Sequence, residues 1–344
     1  MMLNRRGSLA ALLAALGCAA LLVGCRGKTP DPEPVPAAPN SAALTRPEPA
    51  LALPGQERLE PKLPWRLPAV DRVVAIGDVH GDLAALRAAL RLAGATDAKD
   101  TWVGGKLVVV QTGDQLDRGD EERAILDLLE RISAQARAAG GALHVLNGNH
   151  ELLNALGDFR YVTPAGYETF RDVAPTTANQ DAVSRLPERA RGRGAAFLPG
   201  GPYASKLAER NLVLQVGKTV FVHGGVLPAH VEAGLGTINE EARAFLRGEL
   251  PRPPAAVTAD DSVTWTRAYS DGEPSADICQ TLGRVLKALE AERMVVGHTV
   301  QRRGIDGACG DRVWRIDVGM SKMYGGRPAA LEITPAGTRA IVLP

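Results

Sequence analysis

A chain of 344 residues, 45% of them hydrophobic and 23% charged, has ordinary globular composition and room for one large domain or two small ones. Its formal net charge of +1 gives no global attraction to nucleic acid or to an acidic surface. With 4% aromatic residues there is little to stack on bases, so nucleic acid is not an expected partner and function has to be sought in local sites.

In chain order, the first feature is Arg5 and Arg6 ahead of an apolar run from Ser8 to Gly24. Basic, then hydrophobic, then small residues is the layout of an export signal, here over 1–24, and the run is short for a spanning helix, which needs about 20 apolar residues. It ends Leu22-Val23-Gly24-Cys25, which resembles the lipobox of bacterial lipoproteins. The resemblance implies cleavage before Cys25 and lipid on its sulfur, and Arg26 after the cysteine resembles outer-membrane more than inner-membrane sorting. The alternative is an uncleaved anchor with an incidental cysteine; both put the folded part outside the cytoplasm. Gly27 to Pro68 holds eleven of the 24 prolines, so 25–70 reads as an extended tether, with the folded domain expected over 71–344.

The domain opens with strands expected at Arg72–Ile76, Leu107–Gln111 and Leu143–Leu146, alternating with helices at Leu83–Leu92, Glu121–Ala138 and Glu151–Leu156. Near-continuous apolar runs such as Leu107-Val108-Val109-Val110 indicate a buried, partly parallel sheet. Later strands are expected at Leu212–Val216, Thr219–Val222, Met294–Val296, Val313–Ile316, Ala329–Ile333 and Arg339–Leu343, and helices at Tyr203–Arg210, Asn239–Leu246 and Ala276–Glu292. So few helices among these strands suggest a second, more mixed sheet. Phe159–Pro199 and Pro251–Thr264 are poorly read, and either borders a site or is surface insertion. Cys279 and Cys309 remain once Cys18 leaves with the signal and Cys25 carries lipid; a disulfide and two buried thiols are both open to them.

Chemistry-bearing residues gather where the strands end. The first strand runs into Gly77-Asp78-Val79-His80-Gly81, in which Asp78 and His80 are two apart and share a side of extended chain. The second runs into 113–120, with Asp114, Asp117 and Arg118, and the third into Gly148-Asn149-His150-Glu151. Later, His223 follows Val220–Val222 and His298 follows Met294–Val296. Ligands in open α/β sheets bind outside the carboxyl ends of strands, so the five groups can converge on one crevice. Any one of them taken alone is ordinary turn chemistry, but together they use four of the six histidines; His144 and His230 lack the pattern and read as structural. Carboxylates, imidazoles and one amide without thiolate suit Mn²⁺, Fe or Zn²⁺, and the donors are about enough for two ions. Two metals about 3.5–4 Å apart are a standard device for in-line displacement at phosphorus.

The ordered set GDVHG, GDQLDRG, GNHE, HGG and GH resembles the phosphoprotein phosphatase family of calcineurin-like metallophosphoesterases. The flanking stretches FVHGGVLP, VTWTRAYSDGE, VVGHTVQ and RIDVGMSKMYGG are similar to its bacterial-type branch, the Shewanella-like phosphatases, and the match spans roughly Val73 to Ile333. The eukaryotic form of the late metal-histidine motif is not matched; Gly297-His298-Thr299 stands in its place. The resemblance implies an α/β fold, a four-layer α/β/β/α sandwich of two mixed sheets. It implies two divalent ions, Mn²⁺ foremost, with Asp78 and His80 on one, Asp114 bridging, and Asn149, His223 and His298 on the second. Direct attack by a bridging water or hydroxide, with no phosphoenzyme, goes with it. Arg118 would clamp phosphate oxygens; Arg267 is a second clamp or a surface arginine beside Trp265, and Tyr324 lines the phosphate site or packs a loop.

This leaves His150 free to act as general acid, oriented by Asp117. Glu151 is expected to be structural, through the helix dipole or a pairing with Arg118. The expected function is phosphomonoester hydrolysis on phosphoproteins or phosphopeptides, serine/threonine or tyrosine, by a membrane-tethered exported enzyme. The alternatives are a symmetrical dinucleoside-polyphosphate hydrolase, which shares GDxHG, GDxxDRG and GNHE but acts on cytoplasmic substrates, and a non-catalytic lipoprotein that binds metal or phosphate.

Overall fold

The computed structural model describes residues 63–342. The expected signal over 1–24, the lipidation site Cys25 and most of the tether lie outside the described residues. Among the described residues no helix is long and apolar enough to cross a membrane.

Two mixed sheets form the centre. The first is built from β2 (Val73–Ile76), β3 (Val108–Gln111) and β4 (Ala142–Val145), mutually parallel, with the antiparallel β10 (Ala329–Thr334) and β11 (Gly337–Val342) added beside β2. The second has the order β1 (Arg66–Leu67), β5 (Val213–Val216), β6 (Thr219–Val222), β7 (Arg293–Val296), β9 (Val313–Arg315), β8 (Asp306–Ala308), with β6, β7 and β9 parallel. Period-two side-chain alternation explains the stacking. Val73, Ala75, Val108 and Val110 point toward the other sheet, where Leu214, Phe221 and Val295 meet them. Val74, Ile76 and Val109 point the other way, onto α1 (Leu83–Leu92) and α2 (Glu122–Ala138), whose Leu86, Leu90, Ile125, Leu129 and Ile132 recur at helical spacing. The far face of the second sheet, with Val213, Val220, Val222 and Val296, is covered by α9 (Leu235–Leu246) and α11 (Ala276–Ala288). The result is four layers, α/β/β/α.

The remaining helices are α3 (Asn149–Ala155), α4 (Pro164–Glu168), α5 (Gln180–Ser184), α6 (Glu188–Phe197), α7 (Pro202–Leu207), α8 (Pro228–Ala233) and α10 (Ala255–Thr258). Four expectations change. The folded part begins before Asp71, because Arg66 and Leu67 pair with Gln215 and Val216 and Trp65 packs on the core. The last two strands join the first sheet rather than the second. The helix expected from Glu151 starts at Asn149: the Glu151 carboxylate accepts the Gly148 N–H at 2.7 Å, closing the first turn two residues earlier. Phe159–Pro199, poorly read in the sequence, folds into α4–α6 and packs against the site. Cys279 and Cys309 form a disulfide with Cα atoms 5.2 Å apart, fastening the first turn of α11 to the turn between β8 and β9.

Candidate active site

All the strand-end residues singled out in the sequence meet at the carboxyl ends of β2, β3, β4, β6 and β7. The close approach is made by main chain in unusual conformations. His80, Asp114, Asp117, Arg118 and His298 all have positive φ, between 45° and 67°. Such backbone costs on the order of 1–3 kcal/mol per residue and persists where surrounding structure over-determines it. Here Glu151 does much of that, accepting the N–H groups of Asp114, Gln115 and Leu116 at 2.8, 2.9 and 3.1 Å besides that of Gly148. Its role is structural, as expected, but its partners are loop amides rather than Arg118. Gly148 is needed for a separate reason: a Cβ there would fall on the Asp114 carboxylate.

Asp114 is the hub. Its Oδ2 lies 3.3 Å from His223 Nε2, 3.6 Å from His80 Nε2 and 3.8 Å from His150 Nε2, and its Oδ1 accepts the His150 N–H at 3.0 Å. Two groups of donors share it: His80, Asp114 and His150, and Asp114, His223 and His298, the donor atoms of each lying within 4.8 Å of one another. Asn149 Oδ1 sits 2.8 Å from His223 Nε2, which brings the amide to the second group. Asp78 accepts from the His298 N–H at 3.1 Å and so joins the two sheets' ends. The outward nitrogens are fixed: His80 Nδ1 faces Leu116 O at 3.1 Å, His223 Nδ1 faces Thr112 O at 3.0 Å, and His298 Nε2 faces Trp265 O at 3.0 Å.

Electrostatics fit a cation centre. Burial, then the neighbouring Asp317 and Asp114 carboxylates, push Asp78 well above the usual carboxylate range. Burial pushes Asp317 up to about 6, with Asp114 adding to it. Burial would also raise Asp114, but the adjoining His223 and His150 outweigh it and hold Asp114 well below. Burial and the neighbouring His150 bring His80 down to about 3, and burial with His223 puts His298 well below the ordinary histidine value. Buried carboxylates pressed together hold their protons to higher pH in the absence of a cation, while the lowered His80 and His298 are neutral donors; a divalent cation would displace the carboxyl protons and relieve the repulsion.

Asp317, after β9, was not anticipated. Its signal was available, as one more carboxylate following an apolar strand, in Arg315-Ile316-Asp317. It yields a prediction for metal-free protein. A carboxylate raised in the folded state contributes stability below its unfolded pKa of about 3.9, and that contribution is lost as pH rises through about 6. In EDTA, Asp317→Asn should therefore raise Tm by roughly 2–6 °C at pH 7.5 and by much less at pH 4.5. Thermal melts of the two proteins across that range check it; a pH-independent difference would remove the carboxylate as its source.

The His150–Asp117 pair is also assembled. His150 Nδ1 lies 2.6 Å from Asp117 Oδ2. Burial lowers His150, but Asp114 and then Asp117 outweigh it and raise the pKa above the ordinary value. His150 thus stands at ligand distance from Asp114 and in a pair with Asp117. Arg118 Nε is buried without a partner among the described residues. The guanidinium carbon lies 4.5 Å from the Tyr161 ring and 5.5 Å from the Tyr324 ring, so two aromatic faces hold it. Tyr324 is also 5.4 Å from the His80 ring, beside the donor groups, while its Cβ packs on Gly319 of its own loop. Tyr161, 5.1 Å from the His150 ring, was missed because it belongs to the poorly read segment. Arg267 Nη1 donates to His298 O and to Thr299 Oγ1, both at 2.8 Å, anchoring it at the second histidine group.

The calcineurin-like phosphoesterase family model matches residues 71–302. The chain belongs to that family, and with it to the metal-dependent phosphatases, whose centre is dinuclear. Shewanella-like protein phosphatase 2 of Arabidopsis thaliana is 41% identical over 301 residues, 79% of this chain and 77% of the relative. Shewanella-like protein phosphatase 1 of Plasmodium berghei is 30% identical over 259 residues, 73% and 67% of the two chains. The solved structure of a cold-active protein-tyrosine phosphatase from a psychrophilic Shewanella species shares the fold, with a TM-score of 0.61, 22% identity, and coverage of 81% of this chain and 82% of that one.

Proposed function

We propose that the chain is a phosphoprotein phosphatase that hydrolyses phosphomonoesters on serine/threonine or tyrosine side chains. The observation that carries this is the pair of buried donor groups sharing Asp114, with Arg118 and the His150–Asp117 pair beside them, Arg118 and His150 both against the Tyr161 ring. Asp78, His80 and Asp114 would hold one divalent ion, and Asp114, Asn149, His223 and His298 the second, with Mn²⁺ favoured by the hard and borderline donors. When bound, two such ions supply an activated water and charge for the phosphate oxygens. The remaining work falls to side chains. Arg118 offers its planar fork to two phosphate oxygens, pre-aimed by Tyr161 and Tyr324, and its unpartnered Nε is free to take one of them. Arg267, tied to His298 O, stands as the second clamp. His150 Nε2 donates a proton to the departing alkoxide while Asp117 keeps the other nitrogen protonated and the ring in place.

The test is turnover by the purified protein, with Mn²⁺, of phosphoserine, phosphothreonine and phosphotyrosine peptides beside diadenosine tetraphosphate. Peptide hydrolysis abolished by EDTA and restored by Mn²⁺ is the expected result. Exclusive hydrolysis of the dinucleotide, or metal binding with no hydrolysis at all, would overturn the reading. The export signal and the lipid on Cys25 are part of the same proposal, supported by Arg5, Arg6 and the Leu22–Cys25 sequence. Fatty-acid labelling that persists in Cys25→Ala would sink the lipid.

A further inference from the structure

We propose that Arg193 is the positioning residue of the proton-donating pair, fixing Asp117 so that its carboxylate presents one oxygen to His150. The inference rests on the reading of His150 as general acid.

Arg193 lies on α6, and its side chain is fully buried, 0% exposed. A buried guanidinium is costly unless its donors are all used, and here they are. Nε donates to Asn154 Oδ1 at 2.7 Å. Nη1 donates to Glu122 Oε2 at 2.5 Å and to Gly166 O at 3.1 Å, and Nη2 to Glu122 Oε1 at 2.8 Å and to Asp117 Oδ1 at 3.0 Å. Five N–H groups thus meet five oxygens, with Phe170 and Phe197 flanking the guanidinium at 5.5 and 5.3 Å.

The contact with Asp117 is what makes this more than a buried ion pair. Oδ2 of Asp117 faces His150, and Oδ1 is held by Arg193 and by Asn154 Nδ2 at 3.1 Å. Asn154 Nδ2 also donates to His150 O at 2.8 Å, and Glu122 Oε1 accepts the Asp117 N–H at 2.5 Å. Every polar group that could let the Asp117 carboxylate rotate is occupied, and Arg193 touches each partner: Glu122, Asn154 and Asp117 itself. A carboxylate held at both oxygens fixes the imidazole that it holds. Stability alone gives no reason for an arginine here, since buried ion pairs are often replaced by apolar residues without loss. A lysine carries the charge but not the fork, so a single nitrogen cannot span Glu122, Asn154 and Asp117 together. Through Gly166 O the same guanidinium ties α4 into the network, which gives the segment between α3 and α7 a role in the chemistry.

An acid matters for a poor leaving group and little for a good one, so the leaving group reads out its position. The experiment compares a phosphoserine peptide with 2,4-dinitrophenyl phosphate, whose phenolate departs unprotonated, in the wild-type, Arg193→Lys, His150→Asn and doubly substituted proteins, each with metal content measured. Arg193→Lys is expected to lower kcat for the peptide about 10–100-fold with KM little changed, and for the dinitrophenyl ester by no more than about threefold. In the His150→Asn background it should lower peptide turnover no further, because the residue it positions is gone. Equal losses on both substrates with metals retained, or a full additional loss in the double variant, would make Arg193 a scaffold residue and overturn the proposal. If His150→Asn itself affects both substrates equally, the acid reading fails and takes the proposal with it, an outcome visible without any Arg193 variant. Should Arg193→Lys not fold, Glu122→Gln, which loosens the guanidinium at constant volume, carries the same expectation and the same grounds for rejection.

Discussion

His150→Asn should keep both metals and lose about 10²–10⁴ in kcat on phosphopeptides, the range that a positioned proton donor contributes. The substitution keeps a polar side chain and removes the titratable ring at a position whose backbone is already fixed: the His150 N–H donates to Asp114 Oδ1 at 3.0 Å, and His150 O accepts from Asn154. The side chain, in contrast, turns toward Asp117 at 2.6 Å. Metal content by elemental analysis and turnover measured on one preparation separate the two roles open to His150, because its Nε2 is also 3.8 Å from the Asp114 carboxylate. Loss of one metal equivalent would make His150 a ligand in place of a donor, and would move the search for the acid elsewhere in the crevice.

The residues proposed as metal donors and the His150–Asp117 pair were legible in the sequence as one cluster for a simple physical reason. A buried parallel strand is a run of apolar residues, and the first polar residues after it must lie at the sheet's edge, where the crevice is. Asp78, Asp114, Asn149, His223 and His298 all stand at that transition. Asp317 stands there too, but after the three-residue β9 and without a preceding glycine, so the boundary was hard to see. Arg193 and Tyr161 follow no such rule. Their segment folds into three helices of 5, 5 and 10 residues, too short or too polar to show a stripe. Arg189, Arg191 and Arg193 look alike on α6; only the tertiary partners Glu122, Asn154 and Asp117 decide that the third is buried while the first two are exposed. The same holds for β1 and β8, of two and three residues, whose identity as strands comes wholly from what they pair with. Local pattern reaches residues placed by a strand's end, and it does not reach those placed by another side chain.

The largest effect is expected at Asp114. Asp114→Asn conserves shape, and the amide can still meet the His150 N–H, while the Glu151 carboxylate continues to hold the backbone at 114–116. What changes is charge at the one atom common to both donor groups, Oδ2, which faces His223, His80 and His150 at 3.3, 3.6 and 3.8 Å. A neutral amide there removes the shared anion from two sites at once, where Asn149→Ala removes one neutral donor from the second site only. Both metals should therefore leave Asp114→Asn on purification, with activity down by more than about 10³-fold and recovered only in part by millimolar Mn²⁺. Asn149→Ala should keep one equivalent. Calorimetric titration with Mn²⁺ distinguishes the two, since a single weakened event is expected for Asn149→Ala and weakening of both for Asp114→Asn. Were Asp114→Asn to bind one ion with wild-type affinity, the carboxylate would belong to a single site, and the two donor groups would be independent centres instead of one.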